Sequence, residues 1–353
     1  MNDILTVASA RLPAEVGFDR ARAHARLFRS GLEGDVTAQY VEWRLGPADD
    51  QVDFLVALDR PGPQGTGVFR DLEERSRSWA EQERHAWLPV ARLGAAWSGP
   101  EAPLWPRVPT VWLELDDVRG PAAAPPCVSV CLVSGYARPL EPLGAPRPDE
   151  EIDTVHRVLD LLGVPASARL SGALGRCFAA LPRGGRLIHL SVMLGRDPKA
   201  VKLYGKVPRA ALSPYLKAIG WSGELAALER AQRALYPEAY TGDDVYFDLN
   251  LANYDAPGRA SLGLAFSQQQ VARGPCQDPR RRAILDRLVE AGLCHPAKAA
   301  AVAGWPGESR EQVAGEAWPR RFLRFLDIKL VWDEDQGPSA KAYLGTSWPS
   351  GLF

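Results

Sequence analysis

Residues 186–206, RLIHLSVMLGRDPKAVKLYGK, hold the densest set of side chains able to bind a charged ligand or move a proton. They read as a β-hairpin turning at Gly195-Arg196-Asp197-Pro198. In the second run Lys202, Tyr204 and Lys206 share one face, against Val201 and Leu203 on the other. In the first run His189, Ser191 and Met193 oppose Ile188, Leu190, Val192 and Leu194. On an ordinary edge hairpin the polar face is simply solvated. In an enclosed space its ammonium groups and phenol are hydrogen-bond donors for an anion. Other runs carry comparable sets. Glu42 and Arg44 alternate with Val41, Trp43 and Leu45, which suits an internal ion pair, or a carboxylate that anchors or deprotonates a substrate. Trp112 and Glu114 oppose Val111, Leu113 and Leu115; Lys329 lies between Ile328 and Leu330; Lys341 and Tyr343 share a face. Cys131 and His189 both fall on polar faces, as a thiol–imidazole pair or as a buried structural cysteine beside a histidine.

The elements that must position these residues repeat five times. Hairpins are expected at 39–45 with 52–58, 110–116 with 127–133, 186–194 with 201–206, 245–251 with 260–266, and 326–332 with 340–344. Each has one apolar and one polar face. Helical spacing occupies 14–33, 68–87, 149–162, 166–181, 208–219, 223–235, 280–291 and 296–303. Ten antiparallel strands need a place for five polar faces. A closed barrel supplies one, because it removes exposed edges and turns the polar faces into a lumen. The fold class expected is α/β of the α+β type: a ten-stranded antiparallel barrel ringed by helices, one domain over 1–353. Two separate sandwiched-sheet domains are the runner-up.

Composition narrows the partners. The chain has 353 residues and a formal net charge of −1, so no general attraction to nucleic acid or to an anionic membrane is expected. No apolar run approaches the ~20 residues that span a bilayer. The N-terminus lacks a basic-then-apolar signal pattern. Five scattered cysteines, of which only Cys127 and Cys131 are close, make a poor zinc site and suggest reduced thiols in a cytoplasmic protein. No phosphate-binding glycine loop, HExxH, GxSxG or paired CxxC is present. The basic run at 280–282 reads as the exposed start of a helix.

The five-hairpin plan resembles the aromatic prenyltransferase barrel, the ABBA or PT-barrel superfamily, and is most similar to its bacterial dimethylallyl-tryptophan-synthase-like branch. Lys202-Leu203-Tyr204 looks like that branch's Lys-x-Tyr strand motif. YVEWRL, with Glu42, is similar to the first-strand motif whose glutamate binds the indole nitrogen. Lys341 and Tyr343 resemble the superfamily's last diphosphate-facing positions. The resemblance implies an indole-type prenyltransferase of natural-product biosynthesis, moving a prenyl group from an allylic diphosphate to an aromatic acceptor. It implies no metal or other cofactor. Glu42 would hold or deprotonate the acceptor. Arg44, Lys202, Tyr204, Lys206, Lys329, Lys341 and Tyr343 would line the substrate chamber with Glu114 and Trp112, the indole shielding an allyl cation.

The polar faces also depart from that pattern. Asp53 stands where a basic residue is usual, and VSVCLV offers neither lysine nor tyrosine. Glu42, Asp53, Glu114, Asp116, Asp248 and Asp327 face the same lumen as the cations, so the diphosphate-binding ring is degenerate. The alternative is a barrel that no longer uses a diphosphate. It would act as a peptide-modifying enzyme, such as a thioether-forming cyclase of a ribosomal peptide pathway, or as a peptide-binding partner subunit.

Overall fold

Alternating apolar residues build the strands, and pairing between them closes the sheet. A computed structural model describes residues 36–47, 51–59, 81–99, 101–105, 107–116, 127–132, 148–165, 167–195, 201–235, 244–251, 261–266, 279–313, 315–333 and 336–348, with 13, 16 and 69 besides. The strands are β1 (Val36–Arg44), β2 (Val52–Asp59), β3 (Thr110–Leu115), β4 (Cys127–Cys131), β5 (Arg186–Met193), β6 (Val201–Pro208), β7 (Asp244–Asn250), β8 (Ser261–Phe266), β9 (Gly307–Glu311), β10 (Arg320–Asp333) and β11 (Gly337–Ser347). Each of β1 to β8 pairs antiparallel with the next, β8 pairs with β10, β10 with β11, and β11 returns to β1. The result is the expected closed ten-stranded barrel, with β9 as an eleventh strand outside the ring.

Helices cover the apolar outer face of this barrel. They are α1 (Glu81–Trp97), α2 (Pro148–Leu161), α3 (Ala168–Ala179), α4 (Leu212–Ala218), α5 (Leu225–Leu235), α6 (Pro279–Glu290) and α7 (Pro296–Ala303). Helix α1 runs through Pro89 and ten residues beyond the expected end, because Val90, Leu93 and Trp97 recur at helical spacing and are all buried. The Trp97 indole then donates to the Val108 carbonyl at 2.7 Å, fixing the chain that enters β3. Ser167 caps α3 by accepting from Leu170 N at 3.1 Å. The Lys298 ammonium, buried under α7, donates to the Arg44 and Gly46 carbonyls at 3.0 Å and lies 5.2 Å from the Trp43 ring centre. Val41, Phe54, Val56, Leu190, Leu203 and Phe247 pack into the same apolar layer and are fully buried. No helix among the described residues is long and apolar enough to cross a membrane.

Three features depart from strict alternation. Strand β9, GESRE, has no apolar period; it forms by pairing with Arg320–Arg324, where β10 runs past the end of β8. Its charged side chains mark a protected edge, with Arg321 bridging to Glu308 at 2.7 Å. In β5 a bulge separates Leu187, opposite Gly205, from His189, opposite Tyr204. Leu187 therefore joins the outer core in place of Ile188, which the alternation had assigned there. The first expected helix, most of the second before Glu81, and the turn at 196–198 lie outside the described residues.

Gly345 lies opposite Phe325 in the β10–β11 ladder, and a Cβ there would stand 2.1 Å from the Phe325 ring. Gly345→Ala is expected to destabilise the protein by about 1–3 kcal/mol through overpacking. Gly175→Ala, in α3 with nothing within 4 Å of the added carbon, is expected to stabilise it by about 0.5–1 kcal/mol. Urea denaturation of the two variants checks both signs.

Candidate functional site

Strand parity sends one side chain in two toward the barrel axis, and there the lumen holds a cavity of about 170 Å³. Its wall includes Glu42, Trp112, Glu114, Lys202, Tyr204, Lys329, Lys341 and Tyr343, eight of the side chains singled out in the sequence. Arg44 and Lys206 do not line it. Arg44 is drawn aside by two carboxylates, Glu42 at 3.1 Å and Asp53 at 3.3 Å. Lys206 pairs with Asp244, beyond Tyr204 on the same strand. Pairing between distant strands adds wall residues that were not proposed as ligands: Tyr40, Ser129, Ser191, Asp248 and Asp327 among them. Their parity was legible; their convergence required knowing which strands meet.

Charge in the cavity is tied up in pairs. Lys341 donates to Glu42 at 2.6 Å, and Lys329 pairs with Asp248. That second pair meets over Gly263, where a Cβ would collide with both the Asp248 carboxylate and the Lys329 stem. The Lys202 ammonium makes no hydrogen bond or ion pair with another described residue, though its charge reaches Glu42 and Asp248. The wall thus offers three lysines against four carboxylates, Glu42, Glu114, Asp248 and Asp327. Burial opposes ionisation of Glu42, yet Arg44 above all, with Lys329, Tyr343 and Lys202, holds its carboxyl below the usual range. Burial likewise opposes the charge on Asp248, and Lys329 followed by Lys202 overrides it. Lys329 is held in its protonated form by Asp248 and Glu42 against the same burial. Glu42, Asp53 and Glu114 bring carboxylate oxygens within 4.8 Å of one another, a set able to hold a cation. The Arg44 guanidinium and the Lys341 ammonium already supply that positive charge.

Alongside these charges runs a series of aromatic rings, with Tyr204 directly opposite Asp248 in the ladder. Tyr40 packs edge-on against Phe325 at 5.0 Å and Trp112 at 5.1 Å between ring centres. Trp112 leads to His189 at 6.3 Å, His189 stacks on Tyr204 at 5.2 Å, and Tyr204 on Tyr246 at 6.0 Å. Burial pushes the His189 imidazole down to about 4, so it is neutral near pH 7. Burial also raises the Tyr204 and Tyr343 phenols well above their ordinary value, so both remain donors. Cys131 faces His189 across the β4–β5 ladder, but burial pushes its thiol up to about 12. It is an inert buried thiol, not half of an activated pair.

No protein-family model matches the chain, and no curated protein matches it in sequence. Solved structures do match in fold. NotF prenyltransferase is 14% identical with a TM-score of 0.51, over 95% of this chain and 90% of that one. The 6-dimethylallyltryptophan synthase of Micromonospora olivasterospora, solved with DMASPP and Trp, is 16% identical with a TM-score of 0.47, over 87% and 81% of the two chains. AnaPT from Neosartorya fischeri is 11% identical with a TM-score of 0.46, over 91% and 81%. The likeness to NotF, with the closed antiparallel barrel and its ring of helices, establishes the ABBA, or PT-barrel, fold for this chain.

A histidine kept neutral in the fold at about 4, against 6.5 when free, makes stability depend on pH. Between these values the unfolded chain takes up the proton and the folded one does not, so stability falls as pH drops from 6.5 to about 4. The full loss is about 3 kcal/mol at most, less where cavity water screens the charge. His189→Gln is expected to flatten that segment of a plot of denaturation midpoint against pH.

Proposed function

We propose that the barrel moves a prenyl group from an allylic diphosphate to an aromatic acceptor, as a transferase of a natural-product pathway. The observation that supports this reading is one juxtaposition. Lys202, without a carboxylate partner among the described residues, faces the same small cavity as Glu42 and the belt of aromatic rings. The prenyltransferase activity named for NotF, which shares the fold, agrees with it.

The chemistry assigns a role to each group. Lys202 and the protonated phenol of Tyr204 would donate to the diphosphate, while the single O–H of Tyr343 is directed at Glu42. As the allylic C–O bond breaks, negative charge accumulates on the leaving diphosphate, so these donors bind the transition state more strongly than the intact ester. The rings of Tyr40, Trp112 and Tyr204 would face the allyl cation and keep water from it. The acceptor's π electrons form the new C–C bond, and the ring proton released from that carbon passes to a base. Glu42 is a poor base, because Arg44, Lys341 and Tyr343 already share its charge. It would instead accept a hydrogen bond from the acceptor N–H and orient the ring. The neutral imidazole of His189, itself a weak base at about 4, would take the proton, because the ring carbon of the cationic intermediate is far more acidic.

A second reading is favoured by the two lumenal pairs, Lys329 with Asp248 and Lys341 with Glu42. A wall that spends two lysines on carboxylates suits a peptide or zwitterionic metabolite better than a diphosphate. This is the peptide-modifying barrel or peptide-binding subunit. Calorimetric titration with dimethylallyl thiodiphosphate separates the readings. Under prenyl transfer, Lys202→Ala removes a charge-assisted contact of about 1.5–3 kcal/mol and weakens donor binding about tenfold to a hundredfold. Asp248→Asn releases Lys329 and tightens it. Glu42→Gln and His189→Gln leave donor binding in place and lower turnover. If neither the wild type nor Asp248→Asn binds the analogue near millimolar concentration, prenyl transfer is ruled out and the second reading replaces it.

A further inference from the structure

The wall formed by β5, β6 and β7 carries another polar cluster, at the end of the barrel away from the hairpin turns and outside the cavity. Its origin is the bulge at Ile188. Counting back from His189 with strict alternation, Leu187 would face the lumen and Arg186 the helices. With the extra residue, Leu187 is fully buried in the outer layer, and Arg186 stands opposite Lys206 on the lumen side. Gly205 makes this possible. A Cβ there would lie 2.8 Å from the Arg186 carbonyl oxygen and 3.0 Å from the Leu187 and Phe247 side chains. Bulges that re-aim a side chain recur beside functional sites.

Among the described residues the charges gathered there do not balance. Lys206 is buried and pairs with Asp244. The Arg186 side chain, half-buried, makes no hydrogen bond or ion pair with another described residue, and its Nε is enclosed without a partner. Like charges directly opposite in a ladder repel each other; Asp244 pairs with Lys206, and Asp327, whose charge also reaches Tyr246, stands in the cavity wall. Tyr246, opposite Lys206 on β7 and within the electrostatic reach of Arg186, adds a phenol. A guanidinium fork, an ammonium and a phenol around one uncompensated positive charge are the donor set of an oxyanion site. Tyr204, in the cavity wall, is two residues from Lys206, about 7 Å along β6.

We propose that Arg186, Lys206 and Tyr246 bind an oxyanion, a carboxylate or a phosphate group, whose parent molecule extends past Tyr204 into the cavity. The site does not depend on prenyl transfer; it holds the anionic end of whatever substrate the cavity takes. The test is calorimetry on the full chain with inorganic diphosphate and, separately, with indole-3-propionate. At least one is expected to bind at millimolar concentration or below, and Arg186→Gln to weaken that binding tenfold or more. The anion that shows the loss identifies the group. Gly205→Ala, which keeps the arginine but fills the space the bulge needs, is expected to cause a similar loss with the far-ultraviolet spectrum unchanged. Arg186→Lys, expected to cost at least threefold, decides the matter if Arg186→Gln does not fold. Absence of binding by the wild type to either anion, or unchanged binding of both in the Arg186 variants, overturns the proposal. Loss of the thiodiphosphate response alone bears on prenyl transfer and leaves this site standing.

Discussion

A barrel that turns its polar faces inward has to neutralise most of its own charge, because its wall buries those groups, Glu42, Asp53 and Lys329 among them, away from bulk water. Arg44, Lys341 and Lys329 are direct neighbours on β1, β11 and β10. Such a row of like charges is unfavourable in isolation. It is held by carboxylates interleaved around it: Asp53 and Glu42 on one side, Asp248 reaching over from β7. Each partner shifts the others' proton affinity in the direction that preserves charge, which overrides burial at Glu42, Asp248 and Lys329 alike. Removing one member leaves its partner buried and unpaired, which costs more than the pair itself contributes. The charged level is therefore a unit.

That unit sets steric conditions on the strands. A side chain can lie directly over the backbone of a neighbouring strand where a Cβ is missing, and three glycines in the barrel mark such places. Gly263 lets Asp248 meet Lys329; Gly345 lets the Phe325 ring lie over β11 and close the aromatic level beside Tyr40; Gly205 accepts the β5 bulge. None of the three has a positive φ, so space and not backbone conformation explains them. Outside, the demands are ordinary: branched and aromatic residues packed under helices. Inside, they are particular to each strand pair.

The difference explains what the sequence could and could not tell. Alternation alone sorted Lys202, Tyr204, Lys329, Lys341 and Tyr343 from their apolar neighbours, because period two is a property of each strand by itself. The repeat of hairpin and helix pointed to closure, because a barrel gathers five polar faces more economically than two sandwiched sheets. The bulge escaped, since its signature is a glycine on the partner strand, sixteen or more residues from the residue it displaces. Strand β9 escaped because an edge strand of charged residues carries no apolar period; pairing creates it. The lumenal ion pairs escaped for a related reason. Lys329 and Asp248 are 81 residues apart, and Lys341 and Glu42 are 299 apart, so only the register of the closed sheet brings them together. Inventory showed both signs of charge in the lumen; which lysine met which carboxylate is a fact of topology.

The two levels of the lumen also differ in what they can do to a ligand. In the aromatic level a neutral imidazole stands among rings that offer a low-dielectric surface and no formal charge. In the charged level the donors are already oriented by their partners, so the field there is fixed before any ligand arrives. A preorganised field favours charge that develops in place over charge that must be carried in. An incoming anion has to displace a carboxylate from Lys329 or Lys341, whereas Lys202 acts on Glu42 and Asp248 from a distance and makes no ion pair among the described residues. Selectivity of this chamber is thus set less by the number of cations in its wall than by how firmly the wall's own carboxylates hold them.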